Sequence, residues 1–435
     1  MQMSFADFIL QHGNDDPVRL LLARDKFPGI DIDLAATTLE VRKKLKSKVP
    51  EWYAVPSLIY PSRISGEQCS SSETARYKAY IVARVRRDGT PSLLRVADLT
   101  GGMGVDTWAF AQVSEAVLYN EMQEGLARAA ELNFKELGIG NVRFRNCVVE
   151  PGKVGEVLDG FEPDVIFLNP ARRAEDGRKV FLIEECQPDV LGLLPELFDA
   201  SRFVLLKLSP MADISMACKR LGKHVREVHV VAAGGECKEL LFLLDREWEG
   251  HYTVFVVDNS TVMEIPGQAG NDESQAGNDE SYAGNDSDRH GRPDRPSDHV
   301  KYGFPKEGDV LFEPGKALAK AGAFSLPCRF GLTKLGMHTH LYVGEEVPEA
   351  LAYLGKWFEV LEVLPLNNRS MKEAGKRYPQ AEVTARNVPM TSDLLRKKIG
   401  CASGGDIHLF GVRVDAAAEE AGNYLIVTKK RYGTD

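Results

Sequence analysis

Three short stretches carry residue types whose spacing suits chemistry. The first reads Val96-Ala-Asp-Leu-Thr-Gly-Gly-Met-Gly-Val-Asp106, three glycines with an acid on either side. Gly101, Gly102 and Gly104 let a backbone turn sharply and approach a ligand closely. A helical pattern follows, so its first N–H groups face the same turn. The second is Glu121, 23 residues after Asp98, a carboxylate suited to accept hydrogen bonds from both hydroxyls of a ribose. The third is Phe167-Leu-Asn-Pro-Ala-Arg-Arg173, an Asn-Pro turn followed by a guanidinium, Arg172, able to stack on a base or clamp a phosphate.

Three nucleotide classes compete for the glycine turn. A phosphate-binding loop needs Gly-Lys-Ser/Thr after its glycines, whereas Met103, Gly104, Val105 and Asp106 stand here. A dinucleotide fingerprint places its third glycine where Thr107 lies, and acidic Asp98 and Asp106 would repel a pyrophosphate. S-adenosylmethionine has no phosphate and carries a sulfonium and an ammonium, which acidic neighbours favour. It fits the residues best.

These turns need elements to hold them. From Leu93 to Asp245, short β-rich runs alternate with helical stretches: 93–100, 116–121, 142–146, 164–170, 202–209, 225–233 and 238–245. Helical patterns between the first five imply βαβ units and a mostly parallel, doubly wound Rossmann-like sheet with helices on both faces. The last two runs are joined at Gly234 and Gly235 with no room for a crossover helix, which requires an antiparallel hairpin. Residues 1–85 show apolar spacings of three and four, a helical N-terminal region. Within it, Cys69-Ser-Ser-Ser-Glu-Thr-Ala-Arg-Tyr-Lys78 either folds over the ligand, with Tyr77 and Lys78 lining the site, or is a capped helix whose side chains pack or meet solvent.

Composition sets the outer bounds. With 54 basic and 63 acidic residues the 435-residue chain has a formal charge of −9. No apolar run approaches a membrane span and no basic segment opens the chain, while seven cysteines without a CxxC pair imply reduced thiols, a cytoplasmic location and no metal site. Residues 268–299 open with the near-repeat QAGNDES, QAGNDES, YAGNDSD and carry eight acids against three arginines. Such residues bury too little to offset ordering, so 266–299 is expected to be a disordered insertion. Beyond it two small α+β modules are expected, over 251–340 and 341–435, the last carrying basic residues that include Arg396 and Lys397.

The glycine turn, with its acid three positions before the first glycine, and the seven-strand order ending in a hairpin resemble the class I S-adenosylmethionine-dependent methyltransferases from Leu93 to Asp245, within an expected domain of 86–250. By that likeness Asp98, Gly101, Gly102, Gly104, Asp106 and Glu121 hold the cofactor, and Asn146-Cys147 stand where an adenine-contacting acid is common. Asn169-Pro170 is similar to the motif of methyltransferases acting on exocyclic amines, which implies a catalytic corner of Asn169, Pro170 and Arg172, although Ala171 replaces its second proline. Arg173 and Lys207 would then meet substrate. The uridine-modifying alternative needs a cysteine after the fifth strand, where Lys207-Leu-Ser-Pro-Met211 stands. The stretches LFEPGKALAKAGAF and AEVTARNVPMTSDLLRKKIG resemble the ferredoxin-like piece and THUMP-like C-terminal domain of a bacterial methyltransferase family. The resemblance implies RNA as partner, bound in part by Tyr77, Lys78, Arg396 and Lys397, and methylation of an RNA base. An RNA-binding scaffold without turnover, or a methyltransferase of another substrate, are the alternatives.

Overall fold

The computed structural model describes residues 3–85, 94–172, 183–258, 261–265, 300–416 and 420–431, with Arg172 described through its backbone. The expected insertion at 266–299 and the candidate Arg173 lie outside the described residues. The chain divides into two compact units, Met1–Val228 with Glu239–Tyr252, and His229–Lys238 with Thr253–Asp435.

The first unit opens with helices α1 (Phe5–Gln11), α2 (Pro17–Leu22), α3 (Ile32–Lys48), α4 (Pro50–Tyr53), α5 (Arg63–Gln68) and α6 (Ser72–Arg84). Ser4, Asp16, Asp31, Ser62 and Ser71 each accept a backbone N–H at a helix start, so polar residues in the sequence fix where these helices begin. The first three helices close over Phe8, Ile9, Leu20, Ile32, Ala35 and Leu39. These helices cluster with the sheet that follows rather than standing apart.

That sheet is built from β1 (Leu94–Asp98), β2 (Ser114–Asn120), β3 (Val142–Arg145), β4 (Val165–Leu168), β7 (Phe203–Leu208), β8 (Val225–Ala233) and β9 (Glu236–Asp245). A separate two-stranded ribbon pairs β5 (Ala171–Arg172) with β6 (Cys186–Gln187). Helices α7 (Val105–Ala111), α8 (Glu124–Glu136), α9 (Val154–Leu158), α10 (Val190–Ala200) and α11 (Ile214–Leu221) lie between the strands. The order is β3-β2-β1-β4-β7-β9-β8, parallel from β3 to β7, with β9 antiparallel to β7. All of β4 is buried, as expected of a strand covered on both faces. Gly234 and Gly235, with φ of +59° and +75°, make the hairpin turn that the sequence requires. The chain leaves β1 toward one side of the sheet and returns at β4 on the other, so a crevice opens beyond their carboxyl ends.

The second unit takes the turn half of that hairpin, where His229 stacks on Phe255 at 4.8 Å. It adds the hairpin of β10 (Thr253–Asp258) and β11 (Thr261–Ile265). Strands β12 (Val310–Pro314), β13 (Thr333–Lys334), β14 (Tyr342–Gly344), β15 (Gly355–Pro365), β16 (Glu382–Arg386), β17 (Ile407–Val414) and β18 (Gly422–Lys430) form one sheet in the order β13-β14-β12-β15-β18-β17-β16. Helices α12 (Lys316–Lys320), α13 (Leu326–Arg329), α14 (Asn368–Arg377) and α15 (Ser392–Ile399) complete it. The two modules expected from sequence therefore share a sheet. Its cause is β15, which pairs with β12 along one edge and β18 along the other. Among the described residues no helix is long and apolar enough to cross a membrane, and no group of three His, Cys, Asp or Glu is placed to hold a metal.

Candidate active site

β1 ends on Asp98, which is fully buried beneath the glycine turn. Its Oδ1 accepts the Thr100 N–H at 3.1 Å and its Oδ2 accepts the Thr107 hydroxyl at 2.6 Å, tying both ends of the loop to one carboxyl. Burial pushes this carboxyl up to about 7; the Thr107 and Thr100 donors oppose the rise, and the charges of Asp106 and Glu121 add to it. The glycines are required by space as well as conformation. A Cβ on Gly101 would lie 2.2 Å from the Tyr119 ring, and Gly104, at φ +91°, would place one 2.7 Å from Phe134. Gly102, at φ +56°, lends its carbonyl to the Tyr119 hydroxyl at 2.6 Å.

The second strand supplies the facing acid. Glu121 is buried, its Oε2 accepting the Gly102 N–H at 3.0 Å and its Oε1 the Gln123 N–H at 2.8 Å. Beside it, Asn120 clasps three strand ends: its Nδ2 donates to the carbonyls of Leu99 (3.1 Å) and Cys147 (3.0 Å), and its Oδ1 accepts the Cys147 N–H (3.0 Å). Asn146 donates to the carbonyls of Glu121 (2.6 Å) and Met122 (3.1 Å).

A cavity of about 210 Å³ opens over these groups. One wall comes from the N-terminal helices, through Ser65, Gln68, Cys69 and Ser70. Behind it the Ser70 hydroxyl donates to Asp106 Oδ2 at 2.9 Å, and the fully buried Lys78 ammonium lies 3.1 Å from Asp106 Oδ1, 2.8 Å from Glu239 and 3.0 Å from Ser70 Oγ. Burial alone would depress this amine, but the two carboxylates outweigh it and hold the amine above its ordinary value. The opposite wall is Asn169 and Ala171 with Gln187 and Pro188, which are joined by a cis peptide bond. The Asn169 N–H donates to Thr100 Oγ1 at 2.7 Å, which pins the end of β4 to the glycine turn and leaves the carboxamide without a hydrogen bond to the described protein.

Of the residues singled out in the sequence, Gly101, Gly102, Asp106, Glu121, Cys147 and Asn169 line this cavity. Asp98, Gly104 and Asn146 do not; they hold the loop, the helix start and the β2 end in shape. Pro170 is buried beside Asn169 without lining the cavity. Lys78, expected against substrate, is instead an internal counter-ion, because two carboxylates claim it. Tyr77 packs against Tyr80 at 5.9 Å between ring centres, and Lys207 sits half-buried on β7, both away from the lining. Arg396 and Lys397 belong to α15 in the second unit. Thr100, Asn120, Gln123 and Gln187 also line the cavity, beyond the residues that the sequence singles out. Thr100 and Asn120 adjoin residues so marked, whereas nothing in the sequence marks Gln187 or Ser65 as cavity residues.

The lining holds two carboxylates, Asp106 and Glu121, and among the described residues no Lys, Arg or His. Strand order, glycine turn and second-strand acid together define a class I methyltransferase fold, here joined to ferredoxin-like and THUMP-like domains. Residues 311–351 match the model of a ferredoxin-like domain and 355–430 that of a THUMP domain-like family. Over 98% of its length the chain is similar to a candidate methyltransferase from Porphyromonas gingivalis W83, at 28% identity, covering 97% of that chain with a TM-score of 0.78. It also matches an rRNA methylase from Streptococcus thermophilus (17% identity, 39% of this chain and 93% of that one, TM-score 0.29). TrmN from Thermus thermophilus is matched at 19% identity, over 40% of this chain and 48% of that one, with a TM-score of 0.30. Comparison with curated proteins finds no match.

Proposed function

We propose that the protein is an S-adenosylmethionine-dependent methyltransferase acting on a base in RNA, with an exocyclic amine as acceptor. The observation that carries this reading is the charge of the cavity: two carboxylates and no cation among its described lining residues, at the switch point of a parallel sheet. Phosphate-bearing nucleotides are disfavoured there, whereas a nucleoside bearing a sulfonium and an ammonium is attracted. The residues fit the group. Glu121 has lone pairs left for ribose hydroxyls, the glycine turn admits close approach, Met122 and Leu126 offer apolar cover for a base, and Asp106 faces the cationic end. When bound, S-adenosylmethionine supplies an electrophilic methyl group.

The chain's own part is alignment. Asn169 presents an uncommitted carboxamide in the cavity lining, its backbone fixed by Thr100, and its oxygen accepts a hydrogen of the amine so that the nitrogen lone pair points inward. Asn has no basic group at neutral pH, so the departing proton goes to solvent. RNA as substrate is supported by the THUMP-like match over 355–430. The test is transfer of labelled methyl to total RNA, with mass spectrometry of nucleosides. Label is expected in one modified base, and Asn169→Ala lowers the rate about 100-fold or more with little change in cofactor affinity. Label appearing in protein or metabolites but never in RNA rejects the substrate; no transfer to any acceptor, despite cofactor binding, rejects the enzyme in favour of a scaffold.

A further inference from the structure

The wall that the N-terminal helices give the cavity is held from both ends. Helix α5 starts on Ser62, whose hydroxyl accepts the Ser65 N–H at 3.2 Å, and its Gly66 lies so close to α3 that a Cβ there would stand 2.7 Å from Val41. From α3, Lys48 donates to the Glu67 carbonyl at 2.7 Å and Lys44 pairs with the Glu67 carboxylate. At the other end Ser70 is tied to Asp106 and Lys78, and Ser71 accepts the Thr74 N–H at 3.2 Å to start α6. Residues 62–71 therefore form a fixed strap along one side of the cavity.

Of the four strap residues that line the cavity, three have their side chains engaged. Ser65 donates to Ser62 Oγ (3.0 Å), the Cys69 thiol to the Gly66 carbonyl (3.3 Å) and Ser70 to Asp106 (2.9 Å). The fourth is Gln68, the last residue of α5, which is exposed and whose carboxamide has no hydrogen bond to the described protein. Asn169 offers the same group from the opposite wall. Two uncommitted carboxamides thus border one cavity from separate elements. Gln123 and Gln187 are placed differently: Gln123 stands two residues after Glu121, whose Oε1 accepts its N–H, and Gln187 shares the wall of Asn169.

A carboxamide offers an acceptor oxygen and two N–H donors but no charge and no base. A carboxylate acceptor would meet the two acids of the lining, and an ammonium would have to shed a proton before attack, which neither amide can take. An amino-bearing base is neutral and carries an amine hydrogen beside a ring nitrogen, a donor next to an acceptor. Taken out of its stack, such a base loses its pairing partner, and side chains of the pocket read the freed edge. The exposed place of Gln68 suits a group that arrives from solvent, whereas Asp106 and Glu121 are buried. We propose that Gln68 is a substrate-contacting residue: its Nε2 donates to the ring nitrogen beside the amine that Asn169 aligns, so the N-terminal helices turn the acceptor base into register. The assignment rests on an RNA amine being the acceptor.

The experiment is steady-state methylation of total RNA from cells lacking the gene, by the full chain and its Gln68→Ala and Gln68→Glu variants, beside thermal melting and calorimetry with S-adenosylhomocysteine. Glutamate keeps the length and the acceptor but has no N–H to give, so both variants lower kcat about tenfold, as expected for one lost hydrogen bond. KM for RNA stays within about threefold, because the contact aligns the base while phosphates elsewhere supply affinity. Affinity of Gln68→Ala for S-adenosylhomocysteine and its melting midpoint stay level, and Gln68→Asn, which restores the donor on a shorter arm, recovers part of the rate. Gln68→Glu as active as the unaltered protein overturns the proposal. So does a rise in KM for RNA with kcat unchanged, or a loss of S-adenosylhomocysteine affinity that matches the loss of rate, which would give Gln68 to the cofactor. Transfer to RNA by the unaltered protein with both variants unimpaired sinks the proposal alone; no transfer to RNA by the unaltered protein sinks the reading beneath it as well.

Discussion

At the scale of single residues, Asp98 is the group whose ionisation the cavity can sense. Its native carboxyl titrates near 7, above its ordinary 3.8, because burial and the neighbouring acids outweigh its two hydrogen bonds. A raised acid binds its proton in the folded chain over a range where the unfolded chain has released it. Folding is therefore favoured at about pH 4 and loses stability as pH climbs to about 7, by a few kcal/mol, after which the loss is complete. Asp98→Asn keeps an acceptor for the Thr100 N–H, turns an amide N–H toward the Thr107 hydroxyl oxygen, and removes that slope. Thermal melting against pH from 4 to 8 checks it, and parallel curves for the two proteins would show that Asp98 is ionised throughout. The same titration acts on the ligand. Above about pH 7 the loop gains a negative charge, so affinity for the cationic cofactor rises relative to the uncharged thioether S-adenosylhomocysteine, and in Asp98→Asn that ratio stays level.

At the scale of elements, the cavity depends on how α6, α7 and β9 are held, and Lys78 is the tie. Its ammonium sits between Asp106 at the start of α7 and Glu239 on β9, with Ser70 completing the set. Lys78→Met strands two buried carboxylates, which costs about 3–5 kcal/mol, seen as a lower urea midpoint with unchanged slope. A change under about 1 kcal/mol would mean that water already compensates those acids. This network also shows where sequence reading reaches its limit. The glycine turn, Glu121 and Asn169 were legible because conformation, charge and strand context coincide within a few residues. The role of Lys78 was not, since its partners stand 28 and 161 positions away along the chain, and a helix with a capped start leaves open which face is buried. Strand order was legible for a local reason too: the glycine pair at 234–235 forces a hairpin. The sharing of β15 between two modules was not, because an alternating strand does not declare how many of its edges are paired.

At the scale of the whole molecule, a net charge of −9 opposes a polyanionic partner on average, yet charge is unevenly placed. Residues 268–299 hold eight acids and three arginines, and the candidate cavity is lined by two carboxylates, while residues 316–344 carry four Lys or Arg and no acid. Substrate and cofactor should then respond differently to ionic strength. If the RNA is gripped through about four phosphates, raising salt from roughly 50 to 200 mM weakens single-strand binding by roughly 50-fold, and the KM for RNA rises accordingly. The cofactor meets buried carboxylates at short range, where screening is slight, so its KM should move by no more than about twofold. Steady-state methylation assays at several salt concentrations separate the two. Parallel increases in both constants would mean that salt acts on the fold or on a shared site, and that cofactor and RNA are not held by separate surfaces.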